Sequence, residues 1–229
     1  MTQDVQLNWL ARYLPIARQL AQLDGPILEV GSGAVGLGLL WDKRFIGCDR
    51  VFEQRPVSSM SAVVGSAERL AFGDREFGTV VASDVLEHLP AHHRPDMMYE
   101  IIRVSRRWII IGVPCGPAAE QADRRLVHWF ARRGRPIPDW LTEHQMFGLP
   151  GLQDVDRLLE EHGRVTWSVL SNENIWLHLC FMVFDTTRVG QKLNSRVWQW
   201  QPSLLTWAAG MAQWGPCYRH IYVVERTDE

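Results

Sequence analysis

Lysine is almost missing from this chain: of its 24 basic residues, only Lys43 and Lys192 are lysines. Neither stands four residues after a tyrosine, which excludes the Tyr-x-x-x-Lys pair of short-chain dehydrogenases. Cysteine is scarce as well. Cys48, Cys115, Cys180 and Cys217 are widely spaced without a C-x-x-C pair, a pattern of reduced, buried thiols rather than a zinc knuckle or a disulfide frame. Net charge is small, at -2 with a pI near 6.4, so there is no global pull toward nucleic acid or an acidic membrane. No Pro-Pro-Tyr-type motif or pervasive basic surface suggests a nucleic-acid substrate. A membrane span needs ~20 apolar residues, and the run from Ile175 to Phe184 is far shorter. Asp4 and its polar neighbours stand where a secretory leader would carry a basic cap and an apolar run, so the expected location is the cytoplasm.

What is present points to one α/β domain spanning residues 1–229, without internal repeats or a low-complexity linker. Residues 1–24 read as a helical lead-in, with Trp9, Leu10, Tyr13, Leu20 and Leu23 at helical spacing and Pro15 expected to kink or divide it. Short apolar runs follow at Ile27–Val30, Phe45–Cys48, Ala62–Val64, Thr79–Ala82 and Trp108–Val113. They alternate with candidate helices, the clearest from about His92 to Val104 and from Gln153 to His162, which predicts a doubly wound sheet. Val165–Leu170 and Tyr218–Val224 bring the strand count to seven.

The first strand runs into Glu29-Val30-Gly31-Ser32-Gly33-Ala34-Val35-Gly36. Glycines at a strand-to-helix junction let backbone amides approach a nucleotide without a Cβ clash. Asp49, at the end of the second strand, is placed to accept hydrogen bonds from ribose hydroxyls. The spacing Gly31-x-Gly33-x-x-Gly36 equally satisfies the dinucleotide fingerprint, so the loop alone does not choose between cofactors.

The ordered set Ile27–Gly33, Asp49, Gly65-Ser66-Ala67-Glu68-Arg69-Leu70-Ala71-Phe72 and Ser83-Asp84-Val85-Leu86-Glu87-His88-Leu89 resembles class I S-adenosylmethionine-dependent methyltransferases of the type 11 family, over about Gly25 to Leu170. The resemblance implies a Rossmann-like, seven-stranded sheet whose last strand is antiparallel, with S-adenosylmethionine as cofactor. By that likeness Glu29 steadies the loop and approaches the methionine amine, while Gly31, Ser32 and Gly33 line the amino-acid portion. Asp49 holds the ribose; Ser66, Ala67 and Glu68 flank adenine; Asp84 and Val85 close the pocket near the sulfonium. Two positions depart from the common pattern: Val35 stands where many relatives carry glycine, and Gly78 where an aspartate often precedes the fourth strand.

Methyl transfer asks the protein to position a nucleophile, exclude water and, for a hydroxyl acceptor, remove a proton. His88 and His144 are the candidate bases, against the alternative that each only shapes or caps its loop. Asp84-x-x-Glu87-His88 is similar to the E-x-x-E-H pattern of metal-dependent O-methyltransferases, but spacing alone supplies no further histidine, and no metal is assigned. Arg124, Arg125, Arg132, Arg133 and Arg135 read either as a cradle for an acceptor anion or as a solvated helix face.

Residues 172–215 form a tryptophan-rich insertion between the sixth and seventh strands. Val189, Leu193, Val197 and Trp200 make one helical stripe, and Leu204, Trp207, Met211 and Trp214 another, with a break near Pro202. Such stripes suit packing on the body, a homodimer contact, or the wall of an apolar or lipid-linked acceptor's pocket. The reaction expected is methyl transfer to an oxygen of a small molecule, with a sugar or a lipid-linked, anionic metabolite as candidate classes. The alternatives are an NAD-dependent oxidoreductase and a catalytically silent, S-adenosylmethionine-binding partner subunit.

Overall fold

In the computed structural model, which describes residues 6–162, 164–211 and 213–227, all seven apolar runs become strands of one sheet. They are β1 (Ile27–Val30), β2 (Phe45–Asp49), β3 (Met60–Val64), β4 (Phe77–Ser83), β5 (Ser105–Pro114), β6 (Val165–Asn174) and β7 (Cys217–Arg226), in the order β3-β2-β1-β4-β5-β7-β6. The first five pair in parallel, and β7 runs antiparallel between β5 and β6.

Successive strand side chains point to opposite faces, and the burial follows that period of two. Leu28, Val80, Ala82, Ile109, Ile111 and Tyr222 pack on one face under α2 (Arg94–Val104) and α5 (Leu152–His162). Ile27, Val81, Ile110 and Ile221 pack on the other under α1 (Leu7–Leu20), through Tyr13, Ile16 and Leu20. A strand buried on both faces is mostly apolar, which is why β1 and β4 read as nearly continuous runs interrupted only by buried Glu29 in β1 and by Thr79 and Ser83 in β4.

Several expectations need correction. The connections after β1, β2 and β3 contain turns rather than α-helices, so the alternation of strand and helix holds only from β4 onward. The strand β6 continues past Leu170 through Ser171-Asn172-Glu173-Asn174, whose last three residues are buried although polar. Hydropathy is blind to this extension because its buried polar side chains bond to groups far along the chain, Asn172 to the Ala11 carbonyl, Glu173 to Arg219 and Asn174 to the Trp214 carbonyl. Pro15 does not divide the lead-in, of which residues 1–5 lie outside the described residues. Proline cannot donate to the carbonyl four residues back, and Asn172 Nδ2 donates to that Ala11 carbonyl at 3.1 Å instead. The helix passes through Pro15 unbroken.

Among its described residues the insertion holds three helices: α6 (Ile175–Asp185), α7 (Arg188–Trp200) and α8 (Pro202–Gly210). Asn174 caps α6 by accepting from the Trp176 and Leu177 amides, and Pro202 opens α8 at its first position. Leu205, Ala209 and Phe181 pack on Leu10 and Ala11 of α1. Most residues of the two stripes face outward rather than onto the body: Val189, Leu193, Trp200, Leu204, Trp207, Met211 and Trp214 are exposed. Cys48, Cys115 and Cys217 are buried as expected, Cys180 is exposed, and all four thiols are free. Among the described residues no helix is long and apolar enough to cross a membrane.

Candidate active site

The glycine loop leaves the end of β1 in the centre of the sheet, where the chain goes one way to β2 and the other to β4, the crevice where open α/β sheets bind ligands. Gly31 has φ of +72°, and a Cβ there would run into Val85 Cγ2. Its amide donates to the Cys48 carbonyl at 2.8 Å, and the Gly33 amide donates to Asp49 Oδ2 at 2.7 Å. Glu29 lies fully buried beneath the loop, and its Oε2 accepts from the Leu37 amide at 2.8 Å. A Cβ on Gly36 would strike that carboxylate, so glycine there is a steric requirement of the buried acid. Burial raises the Glu29 carboxyl to about 7, outweighing the Leu37 amide.

A cavity of about 580 Å³ opens over this crevice. Gly31, Asp49, Ser66, Ala67, Asp84 and Val85 line it, together with Cys48, Val51, Leu89, His88 and Glu143. The other sequence-predicted residues do not form its wall. Glu29 supports the loop from below, Ser32 turns its hydroxyl to the Gly33 carbonyl and Met60, and Gly33 acts through its bond to Asp49. Glu68 accepts from Ser66 Oγ at 2.9 Å and meets His93 Nδ1 at 2.8 Å.

Behind the end of β4 lies a second cavity of about 290 Å³, bordered by Arg12, Asp84, Glu87, His88, Trp140, His144, His178, Tyr218 and Arg219. Asp84 and His88 border both cavities. Asp84 has a left-handed backbone, φ +54°, an unfavourable conformation that its ion pairs over-determine. Arg219 grips it in a fork, Nε to Oδ1 and Nη2 to Oδ2, both at 2.6 Å, and Arg12 Nη1 reaches Oδ2 at 3.1 Å. Burial opposes ionisation of Asp84, but the two guanidinium groups win and hold its carboxyl far below the usual range. Arg219 Nη1 also donates to Glu173 Oε2 at 2.5 Å, and Glu173 Oε1 lies 3.1 Å from His178 Nδ1. The result is a largely buried row of alternating charge drawn from α1, the turn after β4, β7 and β6.

The structure brings His88 and His144 together, with ring centroids 4.9 Å apart. His88 sits in a helical turn, Leu86–His88, directly after β4, whereas His144 is on α4 (Asp139–Phe147), which packs on that turn. Arg94 staples them: Nε donates to the Leu86 and Leu89 carbonyls at 3.2 Å, and Nη2 donates to the carbonyls of Phe147 and Gly148 at the end of α4. Burial, aided by His144, lowers the His88 pKa, so its imidazole is neutral near pH 7. Burial pushes the Glu87 carboxyl well up.

The arginine cluster near α3 (Gly116–Arg132) lines neither cavity. Arg125 stacks on Trp176, Arg133 and Arg135 lie over Trp129, and Arg124 pairs with Glu120. The arginines that hold the wall shared by the two cavities are Arg12 and Arg219, which the sequence did not single out because nothing local marks an arginine held by distant partners.

Residues 28–108, which carry the loop, Asp49, the Ser66–Glu68 segment and the Asp84–His88 turn, match the family described as Methyltransferase domain. This segment is a methyltransferase domain. The methyltransferase fold also recurs among solved structures. Magnesium protoporphyrin IX methyltransferase from Synechocystis PCC 6803, with bound SAH, is 11% identical with a TM-score of 0.57, covering 96% of this chain and 84% of that one. The YcgJ protein of Bacillus subtilis is 14% identical with a TM-score of 0.57, covering 95% and 99%. A SAM-dependent methyltransferase from Methanosarcina mazei is 15% identical with a TM-score of 0.52, covering 94% and 98%. No protein of curated function matches the sequence.

Proposed function

We propose that this methyltransferase moves the methyl group of S-adenosylmethionine to an oxygen of a small molecule held in the smaller cavity. The observation that carries the reading is the pair of cavities meeting at Asp84 and His88. A donor site and an acceptor site must share a wall for an in-line transfer, because the reacting atoms have to approach to about 3–3.5 Å.

The larger cavity suits a nucleoside with an amino-acid tail. Its volume falls in the range of small-molecule sites. Asp49 keeps one carboxylate oxygen on the Gly33 amide and presents the other to a ribose diol. Gly31, whose missing side chain leaves room beside Val85, faces the methionine portion. Ser66 and Ala67 flank the adenine, with the carboxylate of Glu68 already held by Ser66 and His93. Glu29 and Ser32 shape the loop from beneath. The bound donor supplies an electrophilic methyl group on a sulfonium.

The chain's own residues provide position and proton handling. Asp84, locked by Arg219 and Arg12, fixes the boundary between the two cavities. His88, neutral and hydrogen-bonded through Nδ1 to Glu143 at 2.6 Å, accepts the proton of an acceptor hydroxyl, and His144 is the second group able to do so. Trp140 and Met182 give the acceptor cavity apolar walls, and Arg12 gives it a partly exposed cation, features that fit a sugar-like or lipid-linked, anionic acceptor. The free thiols fit a cytoplasmic setting. The outward tryptophans of α7 and α8 are the face through which two copies would pair, and a monomer by sedimentation at micromolar concentration discards that pairing.

A thermal-stability shift with S-adenosylmethionine, S-adenosylhomocysteine and NAD tests the donor assignment. Both sulfur compounds are expected to stabilise the protein and NAD to leave it unchanged. A shift with NAD alone reverses the assignment. Labelled methyl donor in cell extract then identifies the acceptor.

A further inference from the structure

Glu87 and His144 present buried polar atoms to the smaller cavity that no protein group satisfies. Glu87 is fully buried, and among the described residues neither of its carboxylate oxygens has a hydrogen-bond partner. His144 is 6% exposed, and its Nε2 is likewise unpartnered, 4.0 Å from Glu87 Oε1. Buried polar atoms are rarely left so, because each has given up water for nothing. His88 completes the group: one ligand atom from each of Glu87, His88 and His144 lies within 4.8 Å of the other two.

The surroundings are built as they are around bound cations. His88 Nδ1 is hydrogen-bonded to Glu143 Oε2 at 2.6 Å, and His144 Nδ1 to Asp123 Oδ2 at 2.9 Å. Asp123 is itself held through Oδ1 by the Tyr218 hydroxyl at 2.9 Å. A carboxylate on Nδ1 keeps the proton there, orients the ring and leaves the lone pair on Nε2, which is the arrangement of metal-bound histidines. Asp84 is unavailable as a ligand, since Arg219 and Arg12 occupy both of its oxygens.

We propose that Glu87, His88 and His144 form a site for a divalent transition-metal cation, with its open positions facing the smaller cavity. Two imidazoles and one carboxylate suit Zn²⁺ or Co²⁺; Mg²⁺ and Ca²⁺ prefer sets made of oxygen. Ligands at about 2.1 Å from a tetrahedral ion stand about 3.4 Å apart, so the gap between Glu87 and His144 closes by about half an ångström on binding. Side-chain rotation supplies that. With a cation in place the two imidazoles would be ligands rather than the bases named above, and the metal would acidify an acceptor hydroxyl on an open position enough for its proton to be released to solvent water, leaving the oxygen as the nucleophile. The site does not depend on the identity of the methyl donor.

Titration of the metal-stripped protein with Co²⁺ tests this directly. One equivalent is expected to bind at micromolar concentration with visible d–d absorption, to be displaced by Zn²⁺ and to be untouched by equimolar Mg²⁺. His144→Ala and Glu87→Gln are each expected to abolish the spectrum. Asp123→Asn, one layer out, is expected to weaken binding by about 10–100-fold. Failure of the wild-type protein to take up one equivalent of Co²⁺ or Zn²⁺ overturns the proposal, and so does uptake that survives both ligand substitutions. The wild-type spectrum decides the matter even if a variant does not fold. Stabilisation by S-adenosylhomocysteine in the presence of chelator is read separately, so loss of the metal site and loss of the donor assignment are distinguishable.

Discussion

Replacing Glu29 by glutamine should change how stability depends on pH without rebuilding the loop. The carboxyl sits at about 7 in the folded protein against an ordinary value of 4.5. Between those pH values the folded state holds a proton that the unfolded state has released, so stability falls as pH rises. The contribution is fully present below about pH 4.5 and lost above about pH 7. At about 1.4 kcal/mol per unit, the shift corresponds to about 3 kcal/mol for a wholly buried group. Glutamine keeps an oxygen for the Leu37 amide and does not ionise. Urea unfolding of both proteins at intervals from pH 4.5 to 8 gives the difference curve, in which other titrating groups cancel. The glutamine variant should gain on the wild type by about 3 kcal/mol across that window and run parallel above it. A flat difference curve would refute the claim that Glu29 enters the fold protonated.

Three further outcomes follow from the geometry. Asp84→Asn leaves the buried Arg219 guanidinium without its forked partner and should cost about 3–5 kcal/mol by urea unfolding; a loss under 1 kcal/mol would show that the row of charges is not coupled to folding. Asn172→Val strips the partner from the Ala11 carbonyl at about 1–3 kcal/mol, and adding Pro15→Ala, which supplies an amide to the same carbonyl, should recover part of it. No recovery in the double variant would sink the explanation of the unbroken helix. His144→Ala should lower turnover by about a hundredfold or more while donor affinity stays within about twofold; isothermal titration with S-adenosylhomocysteine separates the two, and an equal loss in both would mean that His144 only supports the fold.

The lining of the larger cavity was legible in part because its signals are local. An apolar run ending in glycines, with an aspartate at the close of the next strand, places Gly31 and Asp49 in one crevice whatever the rest of the chain does. The lining of the smaller cavity was not. Arg12, Asp84, Glu173 and Arg219 meet from four elements spread over the chain, and a charged residue buried by a distant partner looks like a surface residue in sequence. His144 was singled out, but its neighbour His88 was not paired with it, since only the packing of α4 on the Leu86–His88 turn unites them. Helical spacing found the stripes around α7 and α8 but could not say which way they face; in the fold α1 is covered by Leu205 and Ala209 while the stripes stay outward.

The fork on Asp84 has a consequence for how the molecule is made. One of its arginines comes from α1 and the other from β7, so a ribosome-bound chain that has emerged only through α4 holds every residue that lines the larger cavity yet lacks the Arg219 fork on the shared wall. The shared wall is therefore completed only once β7 has been made, and a chain truncated before Arg219 has the first chamber beside an unfinished second one.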